Sequence, residues 1–239
     1  EPGVDDDSNG FVDDFHGWSF SEDSNDLTDY KRHGTHVAGI VGARGNNGQG
    51  LVGAAWEVSL MGVAFFHRNK ETTVADAIRA IDYAVDNGAH IINASWGAAY
   101  TPEKLDEFTL LSEAIQRAAD ENVIFVAAAG NSGYNNDNDG HVPASLSNDN
   151  IISVGAITRF GWPPSFSNYG ETSVDVFAPG SVIKSTLPNG YYGNMNGTSM
   201  AAPLVAGIAG LMMSRYPGIS VDDFRHWILK SADPELYQE

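Results

Sequence analysis

Short, wholly apolar runs alternate along this chain with longer stretches of helical periodicity, and that alternation leaves few architectures open. Val123, Ile124, Phe125 and Val126 form one such run. With no polar residue at alternate positions, it suits a strand covered on both faces, and Ile151 to Ala156 is predicted as another strand. Further strands are predicted around Val58 to Phe65 and His90 to Ser95. Between them, Thr73 to Val85 places Val74, Ala77, Ile78, Ile81 and Val85 on one helical face, and Asn87 and Gly88 stop the helix. A helix starts near His36, an amphipathic helix runs from about Pro102 to Asp120, and a last one covers Val221 to Ser231. This order implies an α/β fold, a mostly parallel sheet with helices on both faces.

Composition sets the outer bounds. With 239 residues and 42% hydrophobic content, the chain can bury one substantial core, and nothing marks a second domain, so residues 1–239 read as a single unit. A formal charge of −18 argues against a nucleic-acid partner and suits a soluble protein that binds cations. The chain has 0 cysteines, so stability rests on the core and on any bound metal. No run of apolar residues is long enough to span a membrane, and no signal peptide is visible.

Three segments carry candidate chemistry. His33-Gly34-Thr35-His36 offers a base, Asn196-Gly197-Thr198-Ser199 a nucleophile, and Ala128-Ala129-Gly130-Asn131 an amide donor. A weak hydroxyl needs an adjacent base, and the oxyanion that follows needs preorganised donors. The apolar stretch from Met200 to Met213 is predicted helical, which puts Ser199 at a helix N-terminus. There its own N–H lacks an intrahelical partner and the helix dipole favours an anion. Each segment also has a plainer reading. Gly-Thr-Ser is a good helix cap, Asn131 before Ser132 and Gly133 reads as a turn, and a histidine in a small-residue helix is commonly structural.

Taken together and in this order, the three segments resemble the signatures of the subtilisin-like serine proteases, from about Asp5 to about Ser231. The resemblance implies a three-layer subtilisin-like fold, His33 as catalytic base, Ser199 as nucleophile and Asn131 as oxyanion donor. It implies that Ser95, Trp96 and Gly97 pair with extended substrate. Ala128, Ala129 and Gly130 would form the other wall of the pocket for the residue before the scissile bond, with His141 to Ala144 as the turn at its base. Neither wall carries a charge, so a roomy, apolar pocket is expected, taking large uncharged side chains. Polypeptides are the implied substrates, and secretion the implied location.

One element of the family pattern has no counterpart. The strand ending in the triad's Asp is not found upstream of His33. Asp7-Ser8-Asn9-Gly10 has the wrong spacing and follows acidic residues rather than a strand. That Asp orients the histidine and stabilises its imidazolium, and its loss from a subtilisin costs about 3 × 10⁴ in kcat, about 6 kcal/mol. The expectation is an N-terminally truncated domain, weakly active or inactive by itself, whose missing segment or a propeptide is a partner. The alternative is a noncatalytic peptide-binding or scaffold relative.

The acidic loop from Asp5 to Asp14 places oxygens at alternate positions with Gly10 sixth, like the first half of a calcium loop, although His16 stands where the twelfth-position Glu belongs. Calcium is expected there through Asp5, Asp7, Asn9 and Asp14, and at a weaker site through Asn47. A solvated acidic turn is the plainer alternative. Gly48, Gly50 and Gly53 fit a dinucleotide fingerprint, but they follow a helix and precede a strand, the reverse of what that site needs.

Overall fold

The computed structural model describes residues 2–68 and 71–233. Its first half runs β1 (Gly17–Ser19), α1 (His33–Gly42), β2 (Gly62–Ala64), α2 (Val74–Asp86), β3 (Ile91–Ala94), β4 (Ala98–Ala99), a 3-10 turn at Pro102–Lys104, and α3 (Leu105–Asp120). There follow β5 (Ile124–Ala128), β6 (His141–Val142), β7 (Ile151–Ile157), β8 (Val176–Pro179), β9 (Ile183–Leu187), β10 (Tyr191–Met195), α4 (Thr198–Arg215) and α5 (Val221–Ser231).

The central sheet has the order β3-β5-β7-β8, with every neighbouring pair parallel. Successive side chains of β5 enter opposite cores. Phe125 and Ala127 pack with Ala80 of α2 and Leu111 and Ile115 of α3. Ile124, Val126 and Ala128 pack with Val205 and Ala206 of α4 and Phe224 of α5. Both faces being covered is why this strand is apolar at every position, and each large side chain buried this way contributes about 1.5–3 kcal/mol. The three-layer α/β arrangement expected from the sequence is present.

Local chemistry fixes the helix ends. Thr73 caps α2 in a reciprocal box: its hydroxyl accepts from the Asp76 N–H, and the Asp76 carboxylate accepts from the Thr73 N–H. Ser220 caps α5 the same way through the Asp223 N–H. Helix α1 begins at His33, earlier than the periodicity suggests. Arg32 gives it no side-chain cap; instead the Asp29 carboxylate accepts the N–H groups of Lys31, Arg32 and Thr35 and the Thr35 hydroxyl. Four bonds to one carboxylate satisfy donors that the first helical turn leaves open. The β9–β10 hairpin, which periodicity does not reveal, packs on α1. Its Ser185 and Thr186 hydroxyls donate to the His36 and Thr35 carbonyls at 2.7 and 2.8 Å.

The strand expected over Val58 to Phe65 is reduced to Gly62–Ala64. Among the described residues it pairs only with β1, in parallel, and β3 pairs only with β5. The open edges of β2 and β3 line one cavity of about 2110 Å³, together with Ala38 and Val41 of α1 and Gly207 and Gly210 of α4. An isolated strand edge makes few ladder bonds, which accounts for the shortness of β2.

Candidate active site

Ser199 is the second residue of α4, behind Gly197 in a conformation (φ 150°) that favours glycine. Pro203 cannot donate to the Ser199 carbonyl one turn earlier, as an ordinary residue would. The Ser95 hydroxyl takes that place, donating to Ser199 O at 2.9 Å, while the Ser199 hydroxyl donates to Ser95 O at 3.1 Å. This reciprocal pair ties the end of β3 to the start of α4 and fixes Ser199 beside Ser95, Trp96 and Gly97.

Asn131 leaves the C-terminal end of β5 through Gly130 (φ 110°). Its side-chain oxygen accepts from the Thr198 N–H at 2.8 Å and the Thr198 hydroxyl at 3.2 Å. The Thr198 hydroxyl in turn accepts from the Gly130 N–H at 3.1 Å. With the oxygen engaged, the amide nitrogen is the free end. A Cβ built on Gly197 would lie 3.5 Å from both Asn131 Nδ2 and Oδ1 and 3.6 Å from the Ser199 nitrogen. The Asn131 amide end and the Ser199 N–H therefore both border one small space that glycine leaves open, and the Asn131 oxygen there is already held by Thr198. Thr198, the buried residue that orients Asn131, was not singled out from the sequence, because its role depends on a loop 67 residues away.

His33 opens α1 and lines the same cleft as Ser199 and Asn131. Burial pushes its titration below the ordinary histidine range; the Asp29 carboxylate partly offsets this and His36 adds to it. A neutral imidazole is a competent base. Among the described residues its ring has no hydrogen-bonded carboxylate, and the Ser199 hydroxyl is turned to Ser95 rather than to it. His36 is buried and structural: its Nε2 lies 3.0 and 3.1 Å from the Ile183 and Gly193 carbonyls.

Two segments face each other across the cleft. Trp96 is braced edge-on against Phe65, with ring centroids 5.2 Å apart. On the other side, Ala128 and Ala129 are buried, and Asn136 and Asn168 hold the Ala129 and Gly130 carbonyls at 2.8 and 3.0 Å. The antiparallel β4–β6 pair, Ala98 with Val142 and Ala99 with His141, brings the turn at 141–144 to the base. The space is not apolar throughout, as the sequence suggested. The His141 ring stands between the walls, where a Cβ on Gly97 would collide with its Nε2 and one on Gly130 would lie 3.0 Å from its Cγ.

The acidic loop closes around Asn9. Its Nδ2 donates to Asp7, Asp14 and Asn87 at 3.2, 3.0 and 2.9 Å. Asp5 accepts from the Asn9 and Gly10 N–H groups, and the Tyr83 hydroxyl donates to Asp14. The groups are all hard oxygen donors, as calcium requires. An amide N–H sits at their centre, and among the described residues no three His, Cys, Asp or Glu stand together as a metal site. Asn47 lies in a separate exposed turn, its side-chain oxygen accepting from the Gln49 N–H.

A model of the subtilase family matches residues 3–239. The thermophilic serine proteinase of Bacillus sp. (strain AK1) is 41% identical over 218 residues, covering 91% of this chain and 51% of that protein, so the chain spans about half its length. Subtilisin DY of Bacillus licheniformis is 37% identical over 217 residues, covering 90% of this chain and 76% of the relative. The crystal structure of a cold-adapted subtilisin-like serine proteinase superposes with a TM-score of 0.77 at 32% identity, covering 90% of this chain and 72% of that one.

Proposed function

Because this chain belongs to the subtilase family, we propose that it is a peptidase domain of a serine endopeptidase, with Ser199 as nucleophile, His33 as base and Asn131 as oxyanion donor. The Ser199 oxygen attacks the peptide carbonyl carbon while His33 accepts the hydroxyl proton and delivers it to the leaving amine. Water repeats the sequence to release the acyl group. Negative charge on the carbonyl oxygen falls between Asn131 Nδ2 and the Ser199 N–H. The convergence of those two donors on the space beside Gly197 carries the reading. Extended substrate pairs with Ser95, Trp96 and Gly97, against Ala128, Ala129 and Gly130.

His33 needs a carboxylate to orient it and stabilise its charged form. An extended strand lying between the open edges of β2 and β3 would bring such a group to it. Asn93 of β3 lines that cavity, with its side-chain oxygen buried and unpartnered. A noncatalytic relative that merely holds peptides would share the groove, and the Ser199 hydroxyl's bond to Ser95 favours that second reading. We also propose structural calcium at Asp5, Asp7, Asn9 and Asp14, with the Asn9 amide oxygen turned inward, and a weaker site at Asn47. Secretion remains the proposed location; among the described residues no helix is long and apolar enough to cross a membrane.

Fluorophosphonate labelling of Ser199 separates these readings. The chain alone should label slowly, and an added apolar peptide ending in Asp should accelerate it. Labelling as fast as an intact subtilase without any addition would show that the orienting carboxylate is already present. No labelling under any condition would favour the noncatalytic relative.

A further inference from the structure

His141 is the ionisable side chain wedged between the two walls of the cleft, and the chemistry proposed above makes no use of it. Its backbone N–H is engaged with the Ser145 hydroxyl at 3.0 Å. Its ring nitrogens have no hydrogen-bond partner among the described residues, and the residue lines the cleft beside Gly97, Gly130 and Asn131. Glycine at 97 is what admits the ring, since a Cβ there would run into its Nε2; a Cβ at 130 would collide first with the Asn168 amide and also crowd the His141 Cγ at 3.0 Å.

Resting on the peptidase reading of this groove, we propose that His141 is the specificity-determining residue of the cleft, selecting peptides whose side chain before the scissile bond ends in an oxygen acceptor, a carboxylate or carboxamide. The ring occupies the floor, so a large aromatic side chain meets imidazole where the glycine walls alone would leave depth. An apolar side chain would also strip water from the ring N–H and return nothing, whereas an oxygen acceptor completes the bond.

The charge state follows from the surroundings. Burial alone holds His141 below the ordinary histidine range. The flanking segments offer Tyr100 after β4, the neutral Asn131, Ser132 and Asn168 on the opposite side, and Asp137 and Asp139 in the loop before His141, of which Asp137 is engaged with residues 171–173. The ring is therefore neutral at neutral pH, with one N–H to donate. A bound carboxylate favours the protonated ring, so a peptide ending in Glu should bind more tightly as pH falls, while one ending in Gln should not change. The chain's charge of −18 opposes acidic peptides at long range, so added salt should help Glu more than Gln.

The test is equilibrium binding, which needs no turnover. Fluorescein-labelled peptides identical except for a last residue of Glu, Gln, Leu or Phe are titrated into the chain at pH 7 and pH 5, followed by polarisation. We expect Glu and Gln to bind about tenfold more tightly than Phe, His141→Gly to reverse that order, and His141→Phe to abolish the acceptor preference without deepening the pocket. On the unmodified chain, the His141 imidazole resonances should titrate at higher pH when the Glu peptide is bound and stay in place with the Phe peptide. The same peptide order in all three proteins, with a His141 titration indifferent to Glu, overturns the assignment while leaving the groove intact. Failure of every peptide to bind overturns the groove reading itself and this inference with it.

Discussion

Replacing Asp76 by alanine removes a buried carboxylate outside the cleft that accepts four side-chain and backbone hydrogen bonds. Burial would raise its titration, but the Thr73 N–H and hydroxyl, Arg79 and His67 outweigh that and hold it far below the ordinary carboxylate range. Arg79 donates at 2.6 Å and the His67 ring at 3.2 Å, and the other His67 nitrogen lies 3.0 Å from the Ser21 carbonyl. His67 and Asp76 are 5% and 6% exposed, so the lost partner is not replaced by bulk water. Loss of the α2 cap is worth about 1 kcal/mol. Leaving a buried His67 nitrogen without its acceptor costs about 1–3 kcal/mol, and the exposed end of Arg79 adds little. The sum, about 2–4 kcal/mol, corresponds in a chain of this size to a fall in Tm of about 4–16 °C. The pH dependence has a definite sign. A carboxylate held low in the folded state stabilises it fully above the unfolded value near 3.9, and that stability drains away as pH falls below it. Thermal unfolding followed by circular dichroism at pH 7 and at pH 3 should therefore show a gap between parent and Asp76→Ala that narrows in acid. Asp82→Ala, which breaks the half-exposed pair with Arg117, should change stability by no more than about 1 kcal/mol. An Asp76→Ala curve superimposed on the parent at pH 7, or a gap that widens in acid, would refute the reasoning.

Asn131→Leu removes one of the two donors beside Gly197 and should slow strand-peptide-stimulated labelling of Ser199 by about 10²–10³-fold; an unchanged rate would remove Asn131 from the oxyanion site. Calcium bound to the folded chain should raise its Tm and chelation should lower it. Identical melting curves with calcium and with chelator, and no calcium by elemental analysis, would dispose of both proposed sites.

The sequence by itself determined the layers and the local chemistry. Val123 to Val126 read as a strand buried on both faces because periodicity records which faces meet water, Ile151 to Ala156 read as a strand, and the final helix runs from Val221 to Ser231 as its pattern indicates. His33, Asn131 and Ser199 stood out as candidates because small residues surround each and their segments resemble one family's signatures, and the fold lines all three along one cleft. Tertiary structure alone decided what depends on distant partners. The Ser95 hydroxyl restores the bond that Pro203 cannot make, across 104 residues of sequence. Thr198 orients Asn131, and Asp29 moves the start of α1 to His33 by gathering four donors. The family resemblance put the turn from His141 to Ala144 at the base of a pocket with uncharged, small-residue walls. Only the fold shows the His141 ring itself standing against Gly97 and Gly130, because the β4–β6 pairing is a long-range contact and glycine signals only that something approaches closely, not what. The same limit applies between β2 and β3. A strand's apolar pattern tells which faces are covered, but its edges are backbone groups common to every residue, so only the assembled sheet shows an edge left open.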